Sequence, residues 1–458
     1  MSASREPAGP RSYGSGARIL SIGIASTGLL TFAYFSIASK VLPEVSAKRI
    51  DLLWSVMFVI ISVIYRPIEQ LLSRTIAERR SRGQAQHTLR VPLLIQGGFA
   101  LIFLTLTLAL HGPLVRLFDH DAALYWVLIA GTLAYAASYF ARGWLAGHQR
   151  FGLFGGLVLM ESTSRIAFAI AVAVGITSGQ TAVALGIAAA PFVSLIVVPV
   201  AFARSGAPGR SGGVLDAPIT VDEADAALAG PGTEAVQETA AHDDLSLRRG
   251  GGFAVWVSGI MLSEQTLLNA AVLTVDATSS RAALAGIVFN VLLIARAPLQ
   301  LFQAIQTSLL PHLTGLEATA GHEAFARAIR ITVLAISAFA VAVALGLLLI
   351  GPFVMRHVLF GQLYTYPRFG LALIGLGMGL HLTSGALNQA ALARDEARAA
   401  ACCWVVAAVV FVAWMLIPAI SDEVLRTEVG YAGATGLLAL LLAALYRRGT
   451  TQLVPAPV

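Results

Sequence analysis

Two arginines stand where an apolar chain tolerates them least. Arg66 directly precedes Pro67 in one hydrophobic stretch, and Arg296 stands two residues before Pro298 in another. A central arginine costs roughly 2.5–3.5 kcal/mol on membrane-insertion scales. A neighbouring proline loosens the helix and frees backbone carbonyls. Two guanidiniums facing a common cavity would clamp phosphate or carboxylate through bidentate hydrogen bonds. Placed toward one interface, they would instead snorkel to the headgroups.

Other buried-type polar residues surround this pair in the sequence. Glu161 and Arg165 are spaced i, i+4, which puts them on one helix face and within reach of each other. Glu264, with Gln265 beside it and Asn269 five residues on, is the one acid of its apolar stretch. Such a carboxylate faces water, binds a proton or ion, or pairs with a cavity arginine. His381 reads as a helix-packing histidine. The Gly152-xxx-Gly156 and Gly375-xxx-Gly379 spacings permit close helix approach. The two lysines, Lys40 and Lys48, follow no glycine-rich loop, so ATP hydrolysis by a phosphate-binding loop is excluded. His322-Glu323 lacks the second histidine of a zinc-protease helix. Asp119-His120-Asp121 matches the acid pair of a metal-dependent glycosyltransferase over three residues only, and a solvated loop accounts for it better. Nothing in the sequence requires a cofactor or a metal.

These residues sit in a chain that is 57% hydrophobic and 12% charged, with a mean hydropathy of +0.77. Soluble domains carry roughly 25% charged residues, so the chain is read as an all-α integral membrane protein. Twelve stretches are long enough to cross about 30 Å of hydrocarbon, near residues 18–40, 50–72, 91–111, 123–144, 152–175, 181–203, 253–274, 282–308, 329–350, 369–390, 399–420 and 427–446. Residues 205–250 interrupt the pattern with eight acids among Gly, Ala and Pro, a composition that cannot form a core. The chain therefore divides into a tail (1–17), a six-helix bundle (18–204), a flexible acidic linker (205–250), a second bundle (251–448) and a tail (449–458). The basic run Arg74–Gly83 after the second span is expected to lie at the headgroup surface.

Charge placement sets the orientation. Of the 31 lysines and arginines, 20 fall on the side of the termini and linker, 8 on the other, and three within spans. That bias puts both termini and the linker in the cytoplasm of a plasma membrane. It also accounts for the net charge of +6 without a nucleic-acid partner. Impermeant thiol reagents should thus fail to label a Gly230→Cys variant in intact cells; labelling from outside would reverse the topology. Each half has an even number of spans, so the halves are parallel repeats. Gly112-Pro113-Leu114-Val115 and Gly351-Pro352-Phe353-Val354 close corresponding spans. A duplicated bundle with a buried cation in each copy is the layout of a transporter whose substrate path runs between the repeats.

The runs Tyr65–Arg74, Tyr139–Phe151 and Pro298–Pro311, with the Arg142-Gly143-x-x-x-Gly147 pattern, carry a resemblance. They look like the polysaccharide-exporter branch of the superfamily that also holds multidrug and toxin extruders and lipid II flippases. The resemblance implies two six-helix bundles in a V around a cavity that opens alternately to each side. It implies a polyprenyl-diphosphate-linked oligosaccharide as cargo, and a polymerase or glycosyltransferases of the same pathway as partners. The cavity would be lined by Arg66, Arg296, Glu264, Glu161, Arg165 and Gln265. A cation-coupled drug or metabolite antiporter on the same fold is the alternative. The first span holds Ser21, Ser26, Thr27, Thr31 and Ser36 but no acid, which departs from extruders that couple through a first-helix carboxylate. A membrane-embedded glycosyltransferase is disfavoured by the short outer loops.

Overall fold

Apolar periodicity without strand alternation leaves the backbone one way to satisfy itself in hydrocarbon, the helix. The computed structural model describes residues 26–31, 33–38, 40–81, 89–195, 247–279, 284–319, 321–359 and 366–451, and within them helices occupy every expected span. The first half contains α1 (Ser26–Ala38), α2 (Glu44–Ile64), α3 (Arg66–Ser81), α4 (Arg90–Ala109), α5 (His111–Leu117), α6 (Ala122–Gly147), α7 (Phe151–Ala173) and α8 (Gln180–Ser194). The second contains α9 (Leu247–Thr278), α10 (Leu284–Thr319), α11 (Gly321–Phe353), α12 (Arg368–Ala393), α13 (Ala397–Leu416) and α14 (Glu423–Thr451). Among the described residues, seven of these helices are long and apolar enough to cross a membrane. Of the 205–250 segment, only residues 247–250 are described, and they form the first turn of α9.

The repeat is visible in the packing. In the first half α6 packs on α3 and on α8; in the second, α12 packs on α10 and on α14. Small residues hold both copies of the second contact. A Cβ added at Gly131 would lie 3.4 Å from the Ala188 Cα, and one at Gly377 would lie 3.1 Å from the Ala432 Cα. The two Gly-Pro sequences also occupy equivalent places. Gly112-Pro113 opens α5 just beyond α4, and Gly351-Pro352 ends α11 before a π-helical turn at Val354–Leu359.

The two proline-linked arginines differ in backbone setting. The second span breaks at Tyr65, so Arg66 begins a new helix. The eighth span stays one helix of 36 residues with Pro298 and Pro311 inside it, so no break accompanies Arg296. Of the two glycine spacings, Gly375 and Gly379 do seat α12 against α11, where an added Cβ at Gly379 would collide with the Ala340 Cβ. Gly156 has nothing within 4 Å and serves no such contact. Gly147, from the arginine-glycine pattern, seats α6 on α3; its added Cβ would approach the Ile76 Cβ to 2.7 Å. Gly147→Val is therefore expected to cost about 1–3 kcal/mol, the usual cost of overpacking. Gly156→Ala should leave the melting temperature of the detergent-solubilised protein unchanged.

Three apolar clusters are present among the described residues, the smallest joining α6 and α7 through Leu145, Phe151 and Phe154. Of the two larger ones, one is built from α1, α2, α6 and α8. The other fills the second half and also takes in Ile68 and Leu71 of α3 and Ile95 of α4. The seam between the halves is thus made by α3 against α9 and α10, with α2 and α4 also packed on α9.

Candidate functional site: the seam and its buried charges

Arg66 lies on that seam. The break at Tyr65 starts α3 there, and Pro67 fits the first turn because its missing N–H would have had no helical partner. The Arg66 guanidinium reaches across to α9, with Nη1 4.0 Å from the Met261 sulfur. Its charge acts on the Glu264 carboxyl one turn further along α9. Arg66 is partly exposed, whereas Glu264 and Gln265 are buried at 6% and 9% exposure. Asn269 donates to the Gln265 carbonyl at 2.8 Å. The Arg296 side chain lies outside the described residues.

A second group of charges is sealed within the first half. Glu161 does not pair with Arg165. It accepts instead from Arg142 and Ser138 of α6. Arg165 turns the other way, donating to Ser162 Oγ at 2.7 Å, Tyr135 Oη at 3.2 Å and Thr31 Oγ1 at 3.4 Å. Its guanidinium stacks over the Trp54 ring at 4.5 Å. The reason is geometric: hydroxyls and an indole surround Arg165, while the longer-range partner Arg142 reaches Glu161 from the neighbouring helix. Arg142 in turn covers the Tyr139 ring at 4.5 Å. Glu69 is buried on α3 within electrostatic reach of Arg142 and Arg66. Arg165 is 5% exposed and the Arg142 side chain 11%. Of these three arginines, Arg165 is buried, while Arg66 and Arg142 are both partly exposed.

A third group ties the halves together at the arginine-rich end of the bundle. Arg74, the first residue of the basic run, is buried, donates to Asp395 Oδ1 at 2.6 Å and lies 5.3 Å over the Phe253 ring. Arg249 donates to the other oxygen, Asp395 Oδ2, at 2.8 Å. Burial alone would push the Asp395 carboxyl up, but Arg74 and Arg249 outweigh it and hold it below the usual carboxylate range. Arg394 next door stacks over Phe325 and Tyr446 at 4.5 and 4.8 Å and sits 3.8 Å from Glu317.

The remaining candidates have structural roles. His381 is buried with Nδ1 3.0 Å from Tyr431 Oη and its ring edge-on to Trp404. Asp121 caps α6 by accepting from the Ala123 and Leu124 amides, and Asp119 pairs with Arg49 at 3.0 Å. The acids of the Asp119–Asp121 turn are thereby committed. Cys402 and Cys403 are free thiols. The sequence did not single out Glu69, Arg74 or Asp395 as partners. The one signal available was the turn Arg394-Asp395-Glu396 between two spans, where Asp395 adopts a left-handed conformation (φ 66°).

Solved membrane transporters share this fold over nearly the whole chain. A point mutant of the MATE transporter VcmN of Vibrio cholerae is 14% identical with a TM-score of 0.72, covering 96% of this chain and 98% of that one. A MOP superfamily transporter from Pyrococcus furiosus is 13% identical with a TM-score of 0.71, covering 96% and 95%. An outward-facing multidrug resistance MATE family transporter is 13% identical with a TM-score of 0.68, covering 95% and 94%. No family model and no curated protein matches the sequence. The chain has the fold of these proteins: an all-helical, twelve-span membrane architecture of two six-helix bundles in a V.

Proposed function

We propose that the protein moves a polyprenyl-diphosphate-linked oligosaccharide from the cytoplasmic to the outer leaflet by alternating access, for cell-surface polysaccharide synthesis. The observation that carries this is the position of Arg66: a partly exposed guanidinium at a helix break on the seam between the halves. Moving such a lipid means hiding a diphosphate and sugars from hydrocarbon while the polyprenyl tail stays in lipid. A cation on the seam meets the first need, and an opening between the bundles meets the second. Arg296 on α10, the seam helix of the other repeat, is assigned the matching role. Glycosyltransferases and a polymerase of the same pathway would be its partners.

A cation-coupled drug or metabolite antiporter is favoured by one observation, the buried Glu264 carboxyl facing the seam within the field of Arg66. The two separate in proteoliposomes holding the full-length chain. A fluorescent polyprenyl-diphosphate disaccharide should become accessible to a membrane-impermeant quencher at a rate above protein-free vesicles. Efflux of cationic dyes driven by a pH or sodium gradient, with no movement of the lipid, would replace the flippase with the antiporter.

A further inference from the structure

Beside the Arg74–Asp395–Arg249 contact lies a cavity of about 360 Å³ that none of the residues assigned to the cargo lines. Arg248, Arg249, Phe253 and Trp256 line it from α9, and Asp395 and Arg398 line it from the α12–α13 turn and the start of α13. Its size falls at the lower end of the roughly 300–1,000 Å³ of small-ligand sites. Three cations face one acid there, and that acid already accepts from Arg74 and Arg249. Among the described residues no carboxylate pairs with Arg248 or Arg398; Arg398 lies 5.7 Å over the Trp256 ring. Arg248 and Arg398 therefore bring to the cavity positive charge that no described carboxylate pairs with, and the cavity suits a ligand phosphate.

The walls decide between a lipid and a soluble phosphate. Leu247, Val255 and Trp256, on the same helix end, are 54%, 56% and 38% exposed. In a membrane-spanning chain, large apolar side chains exposed this way face lipid. An indole beside arginines at the end of a span is the arrangement found at the headgroup level, where the ring sits amid acyl glycerol and the cation meets phosphate. A soluble phosphate would gain nothing from that apolar flank.

We infer that this cavity is a binding site for the phosphate headgroup of an anionic phospholipid, held by Arg248, Arg249 and Arg398 with Trp256 against the glycerol region. The site stands apart from the transported cargo, because it contains none of the residues assigned to the cargo. Because Arg249 serves both the cavity and Asp395, a bound headgroup would bear on the contact that closes the halves.

Brominated lipids test this, since bromine quenches a tryptophan it touches. The full-length protein is placed in nanodiscs of phosphatidylcholine with increasing dibromo-phosphatidylglycerol, and Trp256→Phe gives the share of fluorescence due to Trp256. Quenching of that share should saturate at a few mole per cent of the anionic lipid and should require several times more dibromo-phosphatidylcholine. Arg248→Gln with Arg398→Gln should weaken the anionic lipid about 25-fold, at about fivefold per arginine near the surface. The melting temperature of that variant is checked so that misfolding is not scored as lost binding. Equal quenching by both lipids, or no change in a folded double variant, would overturn the site. Full displacement of the lipid by millimolar inorganic phosphate would overturn the lipid assignment in favour of a soluble anion. Quenching that appears only once residues 216–244, with their eight acids, are deleted would give the cavity to the chain's own linker.

Discussion

Arg66→Gln is expected to stop lipid-linked oligosaccharide transport while the protein still inserts at normal levels. The guanidinium is partly exposed, sits at a helix break, and faces α9 across the seam. Losing a charge-assisted hydrogen bond costs roughly 1.5–3 kcal/mol, which lowers cargo occupancy by about ten- to a hundredfold at that magnitude. Arg66→Lys should rescue only partly, because lysine keeps the charge but not the planar fork that grips two phosphate oxygens. Arg296→Gln should show the same pattern if the second repeat contributes equally. An arginine that only reaches toward the headgroups behaves differently: lysine replaces it fully and glutamine does little harm. Surface polysaccharide is the readout in cells, and quencher accessibility of the labelled lipid is the readout in vesicles. Full activity of the Arg66→Gln, Arg296→Gln double variant would remove the cavity role of both residues.

The contrast between Arg66 and Arg165 explains what the sequence could and could not reveal. Span number and repeat order were legible because hydrocarbon thickness imposes a length on each apolar run. The equivalence of the halves follows from the Gly-Pro and arginine landmarks alone. Which acid meets which arginine was not legible. Spacing of i, i+4 places Glu161 and Arg165 on one face of α7, yet it says nothing of Arg142 arriving from α6 or Trp54 from α2. Buried partners are chosen by interhelical contact, and those contacts depend on close approaches such as Gly147 against Ile76. The same limit hid Arg74. A run of arginines after a span looks like a surface segment until the helix is seen to continue to Ser81 and turn that one residue inward.

Asp395→Asn should loosen the halves at the arginine-rich end. Arg74 is the buried member of the contact, its side chain 9% exposed against 40% for Asp395. Losing the carboxylate leaves Arg74 with a weak neutral acceptor. A hydrogen bond to a charged group is worth roughly 1.5–3 kcal/mol, taken at the lower end because solvent screens the exposed partner. That is about a tenfold shift toward states in which this end is open. Spin labels at Gln149→Cys and Glu323→Cys, with Cys402 and Cys403 replaced by alanine, would report it as a longer-distance population. Reversing the pair with Arg74→Asp and Asp395→Arg should restore the short distance only in part, because Arg249 would then face a cation. The pH response has a definite sign. Arg74 and Arg249 overcome burial and lower the Asp395 carboxyl below its usual range. The contact is therefore complete above the unfolded value of about 3.9 and is lost only as pH falls through the lower, folded value. Distances should accordingly stay constant from neutral pH down to about pH 5 in the native protein. Opening within that window would mean that another group closes this end, as would unchanged distances in Asp395→Asn.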